Sequence, residues 1–320
     1  MFSGAWAWVG LGVAIDDVKI VPKGVEQDSY LLSDCSAVAD ISAGGSVRSA
    51  DGCVVWNDGQ GGLMMAFGPA DVEGAGKVGN AVAVSTDGDP SDGLTYTVVA
   101  DGGKPVEFAS VRGSETACVP TAGIAAASRQ YIHYMRVLDR NYGDNAWTVG
   151  GSGLAYSDDG GKTWSQSDMK WAADGNFVQA AFEKRDGYVY MYGTPAGREG
   201  TQVCVARAAE GDMLSASAWQ YWNGAEWKSG DEKAATGVTF GTAGEVSVMY
   251  NTAAGRWMML YYSPNRGAVV FRDARAPQGE WSGEKLLLTD GGEGLFAPSF
   301  HPVSAGGQDV YFLLSSAWGK

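Results

Sequence analysis

Five stretches of the chain are apolar or aromatic almost without interruption: Gly62 to Phe67, Gln130 to Val137, Tyr188 to Gly193, Arg256 to Tyr262 and Val310 to Ser315. Short unbroken apolar runs bounded by Gly and Asp turns read as strands covered on both faces, and a helical 3.6-residue period is nearly absent. Each run is preceded by a segment of small or polar residues: Ser49-Ala50-Asp51-Gly52, Pro120-Thr121-Ala122-Gly123, Asn176-Phe177-Val178-Gln179, Gly244-Glu245-Val246-Ser247 and Ala297-Pro298-Ser299-Phe300. Several runs are followed by a further strand-like stretch, as in Asn80 to Ser85, Leu154 to Ser157, Thr201 to Arg207 and Gly267 to Asp273. One strand set therefore recurs five times without any literal repeat of residues, which predicts an all-β, five-bladed β-propeller. In such a ring the inner strands line a central cavity and polar residues at their starts converge on one mouth. That places Asp51, Thr121, Asn176, Gln179, Glu245 and His301 together, although for each alone a hydrogen-bonded core or turn position is the ordinary account.

The octapeptide Ser157-Asp158-Asp159-Gly160-Gly161-Lys162-Thr163-Trp164 has the spacing of the Asp-box hairpin found on propeller blades. Asp159 can accept bonds from backbone N–H groups of the turn, Gly161 permits positive φ, and Trp164 restarts the strand with an apolar anchor. All three jobs are structural, so this turn is expected to staple the fold away from any chemistry.

Composition agrees with one large β domain: 320 residues, 47 Gly, 12 Trp and 14 Tyr, with 45% hydrophobic residues. No Pro/Ser linker or charge run divides the sequence, so residues 1–320 are expected to form one domain, with residues 1–40 as an N-terminal segment that closes the last blade. The formal charge of -14 repels phosphate polymers and argues against nucleic acid, while a neutral polysaccharide is compatible with it. No run of 18 apolar residues exists, so no spanning helix is expected. Phe2 to Ala14 is apolar and Gly-rich like part of an export signal but lacks a basic start, and a trimmed signal or an irregular strand fit it equally. Cys35, Cys53, Cys118 and Cys204 lack zinc-site spacing; one or two disulfides, or buried free thiols, fit them equally. No metal and no cofactor is expected.

The longest distinctive stretch is Asp186-Gly187-Tyr188-Val189-Tyr190-Met191-Tyr192-Gly193-Thr194-Pro195-Ala196-Gly197-Arg198, followed by Val205-Ala206-Arg207 and Tyr221-Trp222-Asn223-Gly224. Ser85-Thr86-Asp87 with Asp92-Gly93-Leu94, Val119-Pro120-Thr121-Ala122-Gly123, Tyr131-Ile132-His133-Tyr134-Met135, Gly244-Glu245-Val246-Ser247-Val248 and His301-Pro302 complete the pattern. Over roughly residues 45 to 318 it resembles glycoside hydrolase family 183, earlier catalogued as a domain of unknown function, whose characterised members are endo-D-arabinanases. The resemblance implies a secreted, extracellular five-bladed propeller that needs no cofactor and acts as a monomer. It would cleave internal α-D-arabinofuranosyl linkages in the D-arabinan of mycobacterial-type cell walls, the polymer of arabinogalactan and lipoarabinomannan. Glycoside hydrolysis needs two carboxyl groups flanking one bond, one as acid and one as base or nucleophile.

The family resemblance implies an aspartate pair. The first element maps onto Ala50-Asp51-Gly52; the second reads Phe67-Gly68-Pro69-Ala70-Asp71, with Pro69 where the acid is expected. Because Pro fixes φ and removes a donor, Pro69 alters the strand exit and could turn Asp71 into the mouth. Glu245 or Asp34 could supply the second carboxyl instead, and a Glu245 enclosed by aromatic strands would have the raised pKa of a general acid. In either case the structural alternative is plain: Asp71 as a solvated loop residue, Glu245 as an acceptor from Arg198 or backbone. Catalytic candidates are thus Asp51, Asp71 and Glu245, and substrate-binding candidates are Thr121, Asn176, Gln179, Arg198 and His301. Arg198 could equally form an inter-blade ion pair, and His133 reads as a satisfied core histidine. Two other classes stay open: a non-catalytic carbohydrate-binding propeller, suggested by Pro69, and a sialidase-like enzyme, which the absence of several arginines at the inner-strand starts opposes.

Overall fold

The structure is a computed structural model and describes residues 14–22, 30–32, 36–40, 44–141, 146–198, 200–292 and 294–316. Apart from short 3₁₀ turns, every element among these residues is a β-strand. Five antiparallel sheets of four or more strands follow one another along the chain. The first contains Cys53–Asn57, Leu63–Phe67, Ala81–Ser85 and Thr97–Val98; the second Ala117–Ala126, Arg129–Asn141, Ala146–Ser157 and Ser165–Trp171. The third runs from Gln179–Arg185 through Tyr188–Thr194 and Gly200–Ala209 to Gln220–Trp222 and Trp227–Ser229, with Gly237–Ala243 also against Gly200–Ala209. The fourth contains Val246–Asn251, Arg256–Ser263, Ala268–Ala274 and Lys285–Thr289. The fifth joins Leu295–Phe300 and Asp309–Ser316 to Ala14–Pro22, against which Tyr30–Leu32 and Ser36–Asp40 pair.

The five apolar runs are the second strands of these sheets: Leu63–Phe67 is buried at every position, and Tyr188–Thr194 at every position but the first. A second strand is hydrogen-bonded on both edges and packed on both faces by the neighbouring sheets, which explains why its sequence does not alternate. The first strands lie nearer the axis than the apolar runs; those of the first, third and fourth sheets begin within the small or polar segments that precede the runs or just after them, whereas in the second sheet the whole segment Pro120-Thr121-Ala122-Gly123 lies inside the strand. In the fifth sheet the whole segment Ala297-Pro298-Ser299-Phe300 belongs to the inner strand itself. Each first strand packs beside the next: Cys53–Asn57 by Ala117–Ala126, then Gln179–Arg185, then Val246–Asn251, then Leu295–Phe300, which returns to Cys53–Asn57 and closes the series. Thr121 Oγ1 accepts a bond from the Ala180 N–H at 3.2 Å, and the Lys184 ammonium donates to the Ala125 carbonyl at 3.2 Å. Equal steps of four residues on both strands mean that the two run the same way along the axis.

The apolar core is divided into layers between successive sheets. Between the second and third, His133 lies 5.1 Å from Trp171 by ring centroids, Trp171 meets Trp219 edge-on at 5.7 Å, and the Trp171 indole donates to the Tyr221 hydroxyl at 3.0 Å. His133 is fully buried, so burial lowers its pKa to about 3 and keeps the ring neutral, as a core histidine requires. Cys53, Cys118 and Cys204 are buried free thiols, so no disulfide joins them; Cys35 lies outside the described residues. Burial pushes the thiols of Cys118 and Cys204 up to about 12, which makes them inert.

The Asp-box turn closes as its sequence specifies. Asp159 accepts from the Thr163 N–H at 2.9 Å and from its hydroxyl at 2.6 Å, and Ser157 Oγ accepts from the Gly161 N–H at 2.8 Å. Gly161 has φ of 89°, and the Trp164 indole donates to the Gly161 carbonyl at 3.0 Å before the strand resumes at Ser165. The Thr163 hydroxyl bond leads the causes that hold the Asp159 carboxyl down at about 2.

Candidate functional site

The inner strands surround a cavity of about 390 Å³ to which all five contribute. Along Ala117–Ala126 the even-numbered residues from Ala122 onward are buried between sheets, whereas Thr121, Gly123 and Ala125 are partly open to the axis. The small side chains at those positions, together with Ser247 and Ala297 on other strands, keep the axis hollow. Gly123 has a second reason to lack a side chain: a Cβ there would fall on the ring of Trp56.

Four of the sequence-derived candidates line this cavity: Asp51, Thr121, Gln179 and Glu245. Asp51 is carried on the bend before Cys53–Asn57, with its N–H donating to the Pro69 carbonyl at 3.0 Å and Gly68 packed against its carbonyl group. Pro69 therefore holds the backbone that presents Asp51. Asp71 is not brought to the cavity. It lies in Ala70–Val72, in register with Ser49 and Lys77 in a separate three-stranded sheet, so the strand exit after Pro69 turns it away from the axis. Asp34 lies outside the described residues.

Glu245 forms a two-point ion pair with Arg198. The guanidinium Nε lies 3.2 Å from both carboxylate oxygens and Nη2 lies 3.0 Å from one, with both side chains largely buried at 18% and 17% exposure. Burial disfavours the Arg198 charge, but attraction and hydrogen bonds from Glu245 outweigh it and hold the guanidinium pKa above its ordinary value. Trp147, Tyr262 and Phe296 surround the same guanidinium at 5.3 to 5.9 Å from ring centroid to Cζ. The expected general acid in an aromatic enclosure is thus a carboxylate gripped by a caged arginine.

Thr121 Oγ1 lies 2.6 Å from His133 Nδ1, which ties this mouth to the aromatic layer behind it. Gln179 is 1% exposed, and its Nε2 donates to the carbonyls of Pro195 at 2.8 Å and Gly197 at 2.7 Å. Asn176 and His301 do not line the cavity. Asn176 Oδ1 accepts a long bond from Gln202 at 3.4 Å. His301 follows the far end of the fifth inner strand, where Nδ1 accepts from the Val303 N–H at 3.3 Å and burial lowers its pKa to about 4.

Two acidic residues complete the picture. Asp290, in a turn that reads as solvated surface, accepts from the Tyr262 hydroxyl at 3.0 Å and from the Leu295 N–H at 2.9 Å, so it braces the aromatic cage at the start of the fifth inner strand. Glu183 lies four residues beyond Gln179 on the same strand, about 13 Å deeper at strand rise. Burial pushes its carboxyl up to about 8, against the opposing bond from the Tyr250 N–H and the charges of Arg185 and Lys184. Among the described residues no cluster of three His, Cys, Asp or Glu side chains could hold a metal ion.

A profile of a domain of unknown function, DUF4185, matches residues 40–320. The chain belongs to the DUF4185 family. Among curated relatives of this DUF4185 chain, notoamide biosynthesis cluster protein J of Aspergillus sp. (strain MF297-2) is 28% identical over 255 residues, covering 76% of this chain and 67% of that protein. The protein J' of Aspergillus versicolor is 28% identical over 216 residues, covering 64% of this chain and only 58% of the relative. Similar folds occur in a proposed hydrolase from Bacteroides ovatus ATCC 8483, with a TM-score of 0.58 and 13% identity over 93% of both chains. They also occur in RS223 β-xylosidase, with a TM-score of 0.51 and 14% identity over 86% of this chain and 93% of the other. A proposed exo-β-1,3-galactanase from Bifidobacterium bifidum s17 gives a TM-score of 0.52 at 12% identity, covering 85% and 92% of the two chains. No helix among the described residues is long and apolar enough to cross a membrane.

Proposed function

We propose that this chain is a glycoside hydrolase built as a five-bladed propeller, cleaving internal α-D-arabinofuranosyl linkages of D-arabinan with carboxylates at one mouth of the axial cavity. The observation that carries this reading is that Asp51 and Glu245, from the starts of the first and fourth inner strands, both open on that cavity with Thr121 and Gln179. The two requirements of glycoside hydrolysis divide between them. A carboxylate held by a guanidinium suits the base or nucleophile, so Glu245 takes that role and Asp51 the proton donor. Arg198 acts as a positioning residue, and the Trp147 and Phe296 rings, which line the cavity, offer apolar surface to sugar C–H groups.

The test is product analysis after incubation with purified mycobacterial arabinogalactan. Wild type is expected to release oligosaccharides with new reducing ends, and Asp51→Asn to slow release by at least about 10²-fold, the usual contribution of a general acid. Undiminished release by Asp51→Asn would overturn the assignment. The engagement of both Glu245 oxygens by Arg198, with Asp71 turned away, favours one second reading, a propeller that binds arabinan without cutting it. Retention of the polymer by wild type with no new reducing ends would select that reading. The sialidase-like alternative lacks support, since no arginine lines the cavity among the described residues.

A further inference from the structure

The cavity beneath the mouth is unlike a cleft built for a polyhydroxylated chain. Its wall is mostly apolar, lined by residues such as Val54, Ala180, Val246, Phe296 and Ala297. The hydroxyls along it are tied into the strands. Ser247 Oγ accepts from the Phe300 N–H at 2.9 Å, Ser299 Oγ from the Val55 N–H at 3.4 Å, and Thr121 Oγ1 is shared by His133 and the Ala180 N–H. Gln179 differs from these. With Nε2 committed to the carbonyls of Pro195 and Gly197, the amide orientation is fixed, and Oε1 is left as a buried acceptor without a hydrogen-bond partner on a residue 1% exposed. A buried acceptor left unmade is costly.

We infer that the axial cavity is a binding site for a small apolar ring compound bearing one hydroxyl or N–H donor, with that donor on Gln179 Oε1. The 390 Å³ volume is in the range of small-molecule pockets and exceeds what a two-ring compound needs. A complementary ligand buries its rings against the wall and meets the buried Gln179 acceptor, which is the usual division between affinity and orientation in such sites. This binding goes beyond the proposed hydrolysis and does not rest on it.

Isothermal titration of the intact protein with 2-naphthol, and with 2-methoxynaphthalene as the probe lacking a donor, tests the inference without altering the fold. The expected result is saturable binding of 2-naphthol and at least tenfold weaker binding of 2-methoxynaphthalene, together with loss of 2-naphthol binding in Val54→Phe, which fills the cavity from its wall. Absence of saturable binding, equal affinity for the two probes, or undiminished binding by a folded Val54→Phe would each overturn it. Thermal unfolding of Val54→Phe, with and without probe, separates a blocked cavity from a damaged fold. Because the polymer cleavage assay is separate, failure here leaves the hydrolytic reading standing, and the converse also holds.

Discussion

The layer between the second and third sheets and the hollow at the axis are built from the same strands, yet they obey opposite rules. In the layer, Trp171, Trp219, Phe182, Tyr221 and Phe177 interlock, and the two indoles donate to the Tyr221 hydroxyl and the Met213 carbonyl. At the axis the same strand Ala117–Ala126 offers Thr121 and Ala125 to the cavity, while Gly123 leaves room for the Trp56 ring. The period-two alternation of one strand therefore separates a face chosen for volume from a face chosen for absence of volume. Rigidity comes from the first and room for chemistry from the second.

The largest expected effect breaks the packed side. Trp219→Ala removes a fully buried indole and should cost about 3 to 5 kcal/mol in denaturant unfolding. A loss below about 1 kcal/mol would mean that the layer is as loosely filled as the axis.

An effect smaller per pH unit follows from protonation within and beside that layer. The folded pKa values of His133 and His301 lie at about 3 and 4, below the ordinary imidazole value of about 6.5. Between these values and 6.5 the unfolded chain binds protons that the folded chain refuses, so stability falls as pH drops through that window. Each histidine contributes a slope of up to about 1.4 kcal/mol per pH unit. Unfolding free energies from pH 7 to 4, paired with NMR titration of the two imidazoles, check this; a His133 ring titrating near 6.5 would contradict its enclosure. The smallest effect belongs to the axis. Ala125→Val adds volume where space exists and should change stability by less than about 0.5 kcal/mol. A cost comparable to that of Trp219→Ala would show the hollow to be packed.

Much of this was legible in the chain. The second strands announced themselves because a strand covered on both faces must be apolar throughout, and the turn at Asp159 because its bonds are all local. Asp51, Gln179 and Glu245 were found because each stands at or just before the start of an inner strand, and Thr121 because it lies on the axial side within one. His301 failed that test for a physical reason: Leu295–Phe300 is itself the inner strand, so His301 lies beyond its far end. Asp71 depended on a strand exit that no local rule sets, and it went to a side sheet with Ser49 and Lys77. Asp290 reads as an ordinary Asp-Gly-Gly turn, since its partner Tyr262 is 28 residues away. Glu183 is masked by its neighbours Lys184, Arg185 and Asp186, which give that stretch the composition of a solvated hairpin end.

The pairing of Ala14–Pro22 with Asp309–Ser316 sets the order of events during synthesis. The earliest described strand can pair early with Tyr30–Leu32 and Ser36–Asp40, but it meets Asp309–Ser316 only after nearly three hundred further residues have been made. At about 5 to 20 residues per second, that is a wait of roughly 15 to 60 seconds. Through that interval the edge of Ala14–Pro22 that Asp309–Ser316 will cover stays available to other strands, so the nascent chain is exposed to mispairing there until that late strand is made.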